Sequence, residues 1–193
     1  DIQFIGEVYN PSLYRSYISA GFDLLYDKVG MYDTMRAVIT GQAATSAITS
    51  AWQQTDDIRQ HMLYFLENHD EQRIASTFFA GEARRGVPAM MASMLMQQNP
   101  FMLYFGEEYG ERGMDHEGFS GCDGRTTIFD YWSIDTLCRA ASRKLTADEK
   151  LVYAQHEQTM QIARREKAIS EGTFFDLMYV NPHLHRQYAF LRH

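Results

Sequence analysis

Four short apolar runs in this sequence each end in an acid: IQFIGE (2–7) at Glu7, FDLLYD (22–27) at Asp27, MLYFLENHD (62–70) at Asp70, and FMLYFGEE (101–108) at Glu107 and Glu108. A carboxyl group at a partly buried strand end, near other carboxyls, holds its proton more readily than one in water, which is the property a general acid needs near neutral pH. His69 stands beside Asp70, and Arg73 follows three residues later in NHDEQR (68–73). Each of these residues also has a structural role open to it. An acid at a strand end can cap the next helix, and a His–Asp pair can be a satisfied core contact. Asn68 can hold the strand end through backbone hydrogen bonds, and Arg73 can form an ordinary salt bridge with Glu71 or Glu107. Asp27, Glu107 and Glu108 can line a cleft or hold loops. Tyr9, Trp52, Tyr109 and Trp132 offer flat faces to a sugar ring, although core or loop packing is the commoner use of each such residue taken singly.

The elements that must position these groups follow from the pattern around them. Near-continuous hydrophobicity without polar alternation is what a parallel strand covered on both faces requires, so each of the four runs is expected to be a buried strand. Helical material lies between them: Pro11 to Ser19, with Pro11 where a helix starts, then Tyr32 to Thr40, Ser46 to Gln54, and 74–98 with a break near Gly86. Thr146 and Glu149, three residues apart, form a capping box that opens a helix running to about Glu171. Strands alternating with helices imply parallel βαβ crossovers and an α/β fold. A doubly wound sheet and a barrel both satisfy that pattern. The terminal acids favour the barrel, which gathers the C-terminal ends of its strands around one mouth. The glycine- and charge-rich stretch from Gly106 to Ser133 reads as a functional loop at that mouth. After the last helix, 174–180 and 187–192, joined through Asn181-Pro182, read as a β-hairpin opening an antiparallel domain.

FLENHD (65–70) closely resembles the fourth signature of the α-amylase family of glycoside hydrolases, a strand ending in Asn-His-Asp. FIGEVY (4–9) resembles the third, in which a Glu follows the strand, and PFMLYFGEEYG (100–110) is similar to the family's eighth-strand segment. The three occur in the family's order and span most of the chain. The resemblance implies the C-terminal half of a TIM (β/α)8 barrel over residues 1–172, from the fifth strand to the last helix, and the beginning of a C-terminal antiparallel β-domain over 173–193. It further implies retaining hydrolysis of α-1,4-glucosidic bonds in starch-like α-glucans or maltooligosaccharides. In that chemistry a protonated acid serves the leaving oxygen and a carboxylate about 5 Å away attacks the anomeric carbon. On this resemblance Glu7 is the proton donor and Asp70 the second carboxylate, favouring the distorted sugar ring, with His69, Asn68 and Tyr9 as substrate-binding residues. Some family members hold a chloride ion with an arginine at the position of Arg73.

The departures are as informative. The family's first signature, and its second with an Arg and the nucleophilic Asp, have no counterpart in these residues, and the chain opens at Asp1 inside an apolar run without an initiator Met. We therefore expect a piece of a longer polypeptide whose nucleophile lies before Asp1, inactive alone and prone to self-association through open sheet edges. The family's usual calcium site draws on the unmatched segments, so no metal is assigned, calcium remaining an expectation for a longer polypeptide. A non-catalytic amylase-like binding protein, or an α-glucosidase or transglycosylase of the same family, are the competing expectations.

Composition bounds the rest. With 45% hydrophobic and 22% charged residues in 193, the chain can build a real core. A net charge of -7 leaves no basic stripe to displace counterions from nucleic acid. The two cysteines, Cys122 and Cys138, are too few for a disulfide scaffold. No run approaches the roughly 18 apolar residues of a membrane span, and compartment is left open.

Overall fold

The structure is a computed structural model, and it describes residues 2–116, 120–126 and 134–193. The expected strand runs form four parallel strands in one sheet, in the order β1-β2-β3-β4: β1 (Ile5–Gly6), β2 (Leu24–Tyr26), β3 (Met62–Phe65) and β4 (Phe101–Met102). Ile5 is in register with Leu24, Leu25 with Met62, and Tyr64 with Phe101. Between them run α1 (Tyr14–Ser19), entered through a 3-10 turn at Pro11–Leu13, then α2 (Asp33–Ile39), α3 (Ser46–Gln53) and α4 (Val87–Leu95). The helical expectation for 74–98 shortens to its second half. Residues 74–82 are irregular, and the helix begins only after a 3-10 turn at Ala83–Gly86, with Pro88 in its first turn, where a missing N–H costs nothing.

Residues cluster into two units, one of 2–65, 91–102 and 162–193, the other of 66–90 and 103–161. The first unit holds the sheet. All four residues of β3 are buried, as a central parallel strand demands. Tyr32, from the turn before α2, stacks on Phe65 with centroids 4.9 Å apart, and Leu25, Met31, Met35 and Met62 fill the space around it. The expectation of a buried strand fails at β1. Ile5 is 53% exposed and Phe4 57%, because β1 is an edge strand with a hydrogen-bonded neighbour on one side only.

The C-terminal hairpin is antiparallel but shorter than its pattern suggests: β5 (Phe174–Asp176) pairs with β6 (Phe190–Arg192), and a 3-10 turn at Met178–Val180 occupies part of the connection. Asp176 anchors it. Its carboxylate accepts from Thr49 Oγ1 at 2.7 Å, Trp52 Nε1 at 2.9 Å, Tyr188 Oη at 2.8 Å and the Met178 N–H at 2.6 Å. Burial works against the charge, yet these donors hold the carboxyl below the usual range.

The second unit carries α5 (Asp135–Ala141) and the start of α6 (Ala147–Arg165), which α7 (Lys167–Ser170) follows in the chain. The capping box forms as read: the Thr146 N–H donates to Glu149 Oε2 at 2.8 Å and the Glu149 N–H to Thr146 Oγ1 at 3.2 Å. Thr146→Ala removes the acceptor for one of the orphan N–H groups of the first turn. It is expected to lower stability by about 1 kcal/mol, read as a shifted denaturation midpoint. No helix among the described residues is long and apolar enough to cross a membrane. Cys122 and Cys138 are exposed free thiols.

Candidate active site

Because the four strands are parallel, their C-terminal ends lie along one edge of the sheet. Glu7 is the residue immediately after β1, and the segment that begins at Leu66 leaves the end of β3. On the first unit Glu7 is exposed rather than partly buried, and it is held by its neighbour Tyr9, whose hydroxyl donates to Glu7 Oε1 at 2.5 Å. Val8 between them is buried, while Glu7 and Tyr9 on either side of it are exposed.

Asn68, His69 and Asp70 stand together on the second unit. Asn68 is 2% exposed, and its Oδ1 accepts the N–H groups of Asp70 at 2.9 Å and Glu71 at 2.8 Å, an Asx turn that bends the chain after the strand. The geometry thus gives Asn68 the backbone-positioning role. His69 Nε2 lies 3.5 Å from Asp70 Oδ2, and both side chains are about one third exposed. The backbone of Asp70 is pinned by the Arg125 Nε–H, which donates to its carbonyl at 2.6 Å.

Beneath this turn lies a buried charge network that sequence reasoning did not resolve. Arg73 is fully buried and pairs with Glu67 at 2.7 Å, correcting the expected partners Glu71 and Glu107. Its guanidinium also donates to Thr126 Oγ1 at 3.0 and 2.6 Å and to the Phe105 carbonyl at 2.8 Å, and it lies 4.3 Å over the Tyr104 ring. The other oxygen of Glu67 accepts the Ile74 N–H at 2.7 Å. Arg73 therefore fastens three stretches, 67–74, 104–107 and 124–126, into one support under the Asn-His-Asp turn. Burial raises the Glu67 pKa, and the guanidinium offsets part of the rise. Glu107 is the second buried acid of this cluster. Burial first, then the Glu67 charge, pushes it well above the usual carboxylate range. The signal for this pair was present as an acid at the end of the most apolar strand with an arginine six residues on.

The other acids hold loops. Asp27 caps the turn at Lys28–Tyr32, accepting the Met31 N–H at 3.0 Å. Only glycine fits at Gly30, where a Cβ would run into the Asp27 carboxylate. Glu107 accepts the Tyr104 N–H at 3.2 Å, and Glu108 the Gly106 N–H at 3.0 Å. Of the aromatics, Trp52 packs edge-on against Phe174, and Tyr109 stacks on Tyr153 with centroids 5.4 Å apart, so both serve packing. Trp132 and much of the 106–133 loop tip lie outside the described residues. Among the described residues no group of three or more His, Cys, Asp or Glu side chains converges to hold a metal ion.

Comparison with known proteins places this architecture. No protein-family model matches the chain, and no curated protein matches it. Solved structures do. A cyclomaltodextrinase superposes over 99% of this chain with a TM-score of 0.68 at 20% identity. A noncanonic maltogenic α-amylase from Thermotoga neapolitana covers 99% with a TM-score of 0.61 at 18% identity, and AmyP in complex with maltotriose covers 90% at 0.64 and 15%. The chain spans 30%, 39% and 40% of those three chains respectively. It therefore shares the fold of part of these α-amylase-type glycoside hydrolases.

Proposed function

We infer that this chain belongs to the α-amylase family and supplies part of the active site of a retaining glycosidase that cleaves α-1,4-glucosidic bonds in starch-like glucans or maltooligosaccharides. The observation that carries the reading is positional. The two segments that resemble catalytic signatures each follow a strand of one parallel sheet, and the chain shares the fold of part of a cyclomaltodextrinase and a maltogenic α-amylase. Residues 1–172 are on this reading the C-terminal half of a (β/α)8 barrel, and 173–193 the start of the antiparallel domain. Glu7 donates the proton to the leaving oxygen. Its exposure lets it reach a substrate, and the Tyr9 hydroxyl sets its rotamer. Asp70 and His69, on a turn braced by Asn68 and the Arg73 network, hydrogen-bond the sugar at the cleavage point and favour its oxocarbenium-like form. The nucleophile comes from outside these residues, so hydrolysis belongs to the complete polypeptide.

That polypeptide is expected to release reducing sugar from soluble starch, with the α-anomer as first product, as two successive displacements at one carbon require. Proton NMR of the nascent product checks this. A β-anomeric first product would remove the retaining mechanism, and glucan binding without any release of reducing sugar would identify a binding protein.

A further inference from the structure

Three polar atoms of the first unit are buried without a hydrogen-bond partner and come from residues lining a single cavity of about 220 Å³: Tyr14 Oη, Asp27 Oδ2 and Thr55 Oγ1. They arrive from three elements, the start of α1, the turn after β2 and the residue two beyond α3. The side chains themselves are 1%, 1% and 5% exposed. Buried polar atoms are nearly always satisfied, and three orphans on residues that line one cavity call for partners from an occupant of that space. The other oxygen of Asp27, Oδ1, already accepts the Met31 N–H at 3.0 Å.

The donor set is oxygen only and carries one negative charge. Cationic neighbours of Asp27 pair with other carboxylates. Lys28 is engaged by Asp33 at 2.8 Å, Arg15 by Asp57 at 2.7 Å, and the Asp33 carboxylate adds repulsion. A water would satisfy the hydroxyls and leave the buried charge uncompensated. Divalent ions generally draw more than one carboxylate, and transition metals prefer nitrogen or sulfur ligands that this cavity lacks. We propose that the Tyr14–Asp27–Thr55 cavity binds a monovalent cation, an alkali-metal ion or ammonium, through Asp27 Oδ2 and the two hydroxyls. Burial, with the Asp33 charge, pushes the Asp27 carboxyl up to about 6, so proton and cation compete and binding weakens as pH falls through that value. The cation supports the turn at Lys28–Tyr32 between β2 and α2. This inference is independent of the glycosidase reading, because it concerns none of the residues assigned to that chemistry.

The test is made on the complete polypeptide at about pH 8, where the carboxyl is ionised. Its melting temperature is followed in N-methylglucamine chloride as that salt is replaced by sodium, potassium or ammonium chloride at constant ionic strength. At least one small cation is expected to raise it saturably, as a ligand of the native state does. Tyr14→Phe, which removes one ligand and keeps the packing, should weaken the midpoint of that titration by roughly tenfold. Asp27→Asn, which keeps the cap acceptor, should abolish the response. Identical melting in all four salts would mean that Asp27 simply holds a proton, and a response undiminished in Asp27→Asn would place the cation elsewhere. Either result overturns the proposal. Should the variants not fold, crystals of the unaltered protein grown in thallium(I) decide the matter by an anomalous peak at coordinating distance from Asp27 Oδ2, or by its absence there.

Discussion

In the complete polypeptide, Glu7→Gln is expected to lower starch hydrolysis by roughly 10²–10⁴-fold while leaving the melting temperature unchanged. The two halves of that expectation have separate causes. Glu7 is exposed, and glutamine is its isostere with an oxygen still able to accept from the Tyr9 hydroxyl, so nothing in the packing is disturbed. On the proposed role of Glu7, what is lost is the proton for the leaving oxygen. Substrates with very acidic leaving groups depart without that proton, and the variant should retain much of its activity on them. Rates on starch and on an activated aryl maltoside, measured side by side, distinguish a general acid from a binding residue. Equal loss on both substrates would assign Glu7 to binding, and a lowered melting temperature would assign it to folding.

Arg73→Met is expected to cost the second unit about 3–5 kcal/mol, the range found when one partner of a buried ion pair is removed. The loss exceeds that of a surface ion pair because three stretches of chain depend on one guanidinium, and because Glu67 is left buried with no cation beside it. Methionine restores much of the volume and none of the hydrogen bonds. Adding Glu67→Gln to Arg73→Met should recover part of the loss, since the uncompensated charge is then gone. Chemical denaturation of the three variants checks both statements, and a cost for Arg73→Met below about 1 kcal/mol would show that the network contributes no more than an exposed pair.

Glu107 adds a pH dependence whose sign follows from its raised pKa. A carboxyl with a folded-state pKa above the unfolded one contributes stability that is complete below the ordinary value of about 4.3 and is lost as pH rises through the folded value. Glu107→Gln, neutral throughout, should therefore be less sensitive to rising pH than the parent. In parallel denaturation series the difference between them should grow in favour of the variant as pH increases.

Much of this protein was legible in its residues, for reasons that are local. The strands at Ile5–Gly6, Leu24–Tyr26, Met62–Phe65 and Phe101–Met102 were visible because a parallel strand in the interior must be apolar on both faces. The start of α6 was visible because the Thr146–Glu149 box is satisfied within four consecutive residues. The double role open to Asn68 was visible for the same reason, and its Oδ1 does bond two N–H groups within three residues. The buried state of β1 was read from the same apolar pattern and proved wrong, since pattern describes a strand's faces and says nothing of how many neighbours it has.

What the chain's chemistry could not decide alone was the work of each acid. Asp27, Glu67, Glu107 and Glu108 close apolar runs in much the same way as Glu7 does, yet one caps a turn, one pairs with Arg73, one accepts the Tyr104 N–H, one braces Gly106, and Glu7 stands exposed beside Tyr9. Arg73 has Glu71 and Glu107 within plausible reach by sequence and takes Glu67 instead, with Thr126 and the Phe105 carbonyl completing its fork. Hydrophobic period and caps are properties of neighbouring residues and survive being read one segment at a time. A carboxylate's role depends on its desolvation and on which distant donor reaches it, and those are set only when chain segments far apart in sequence are packed together.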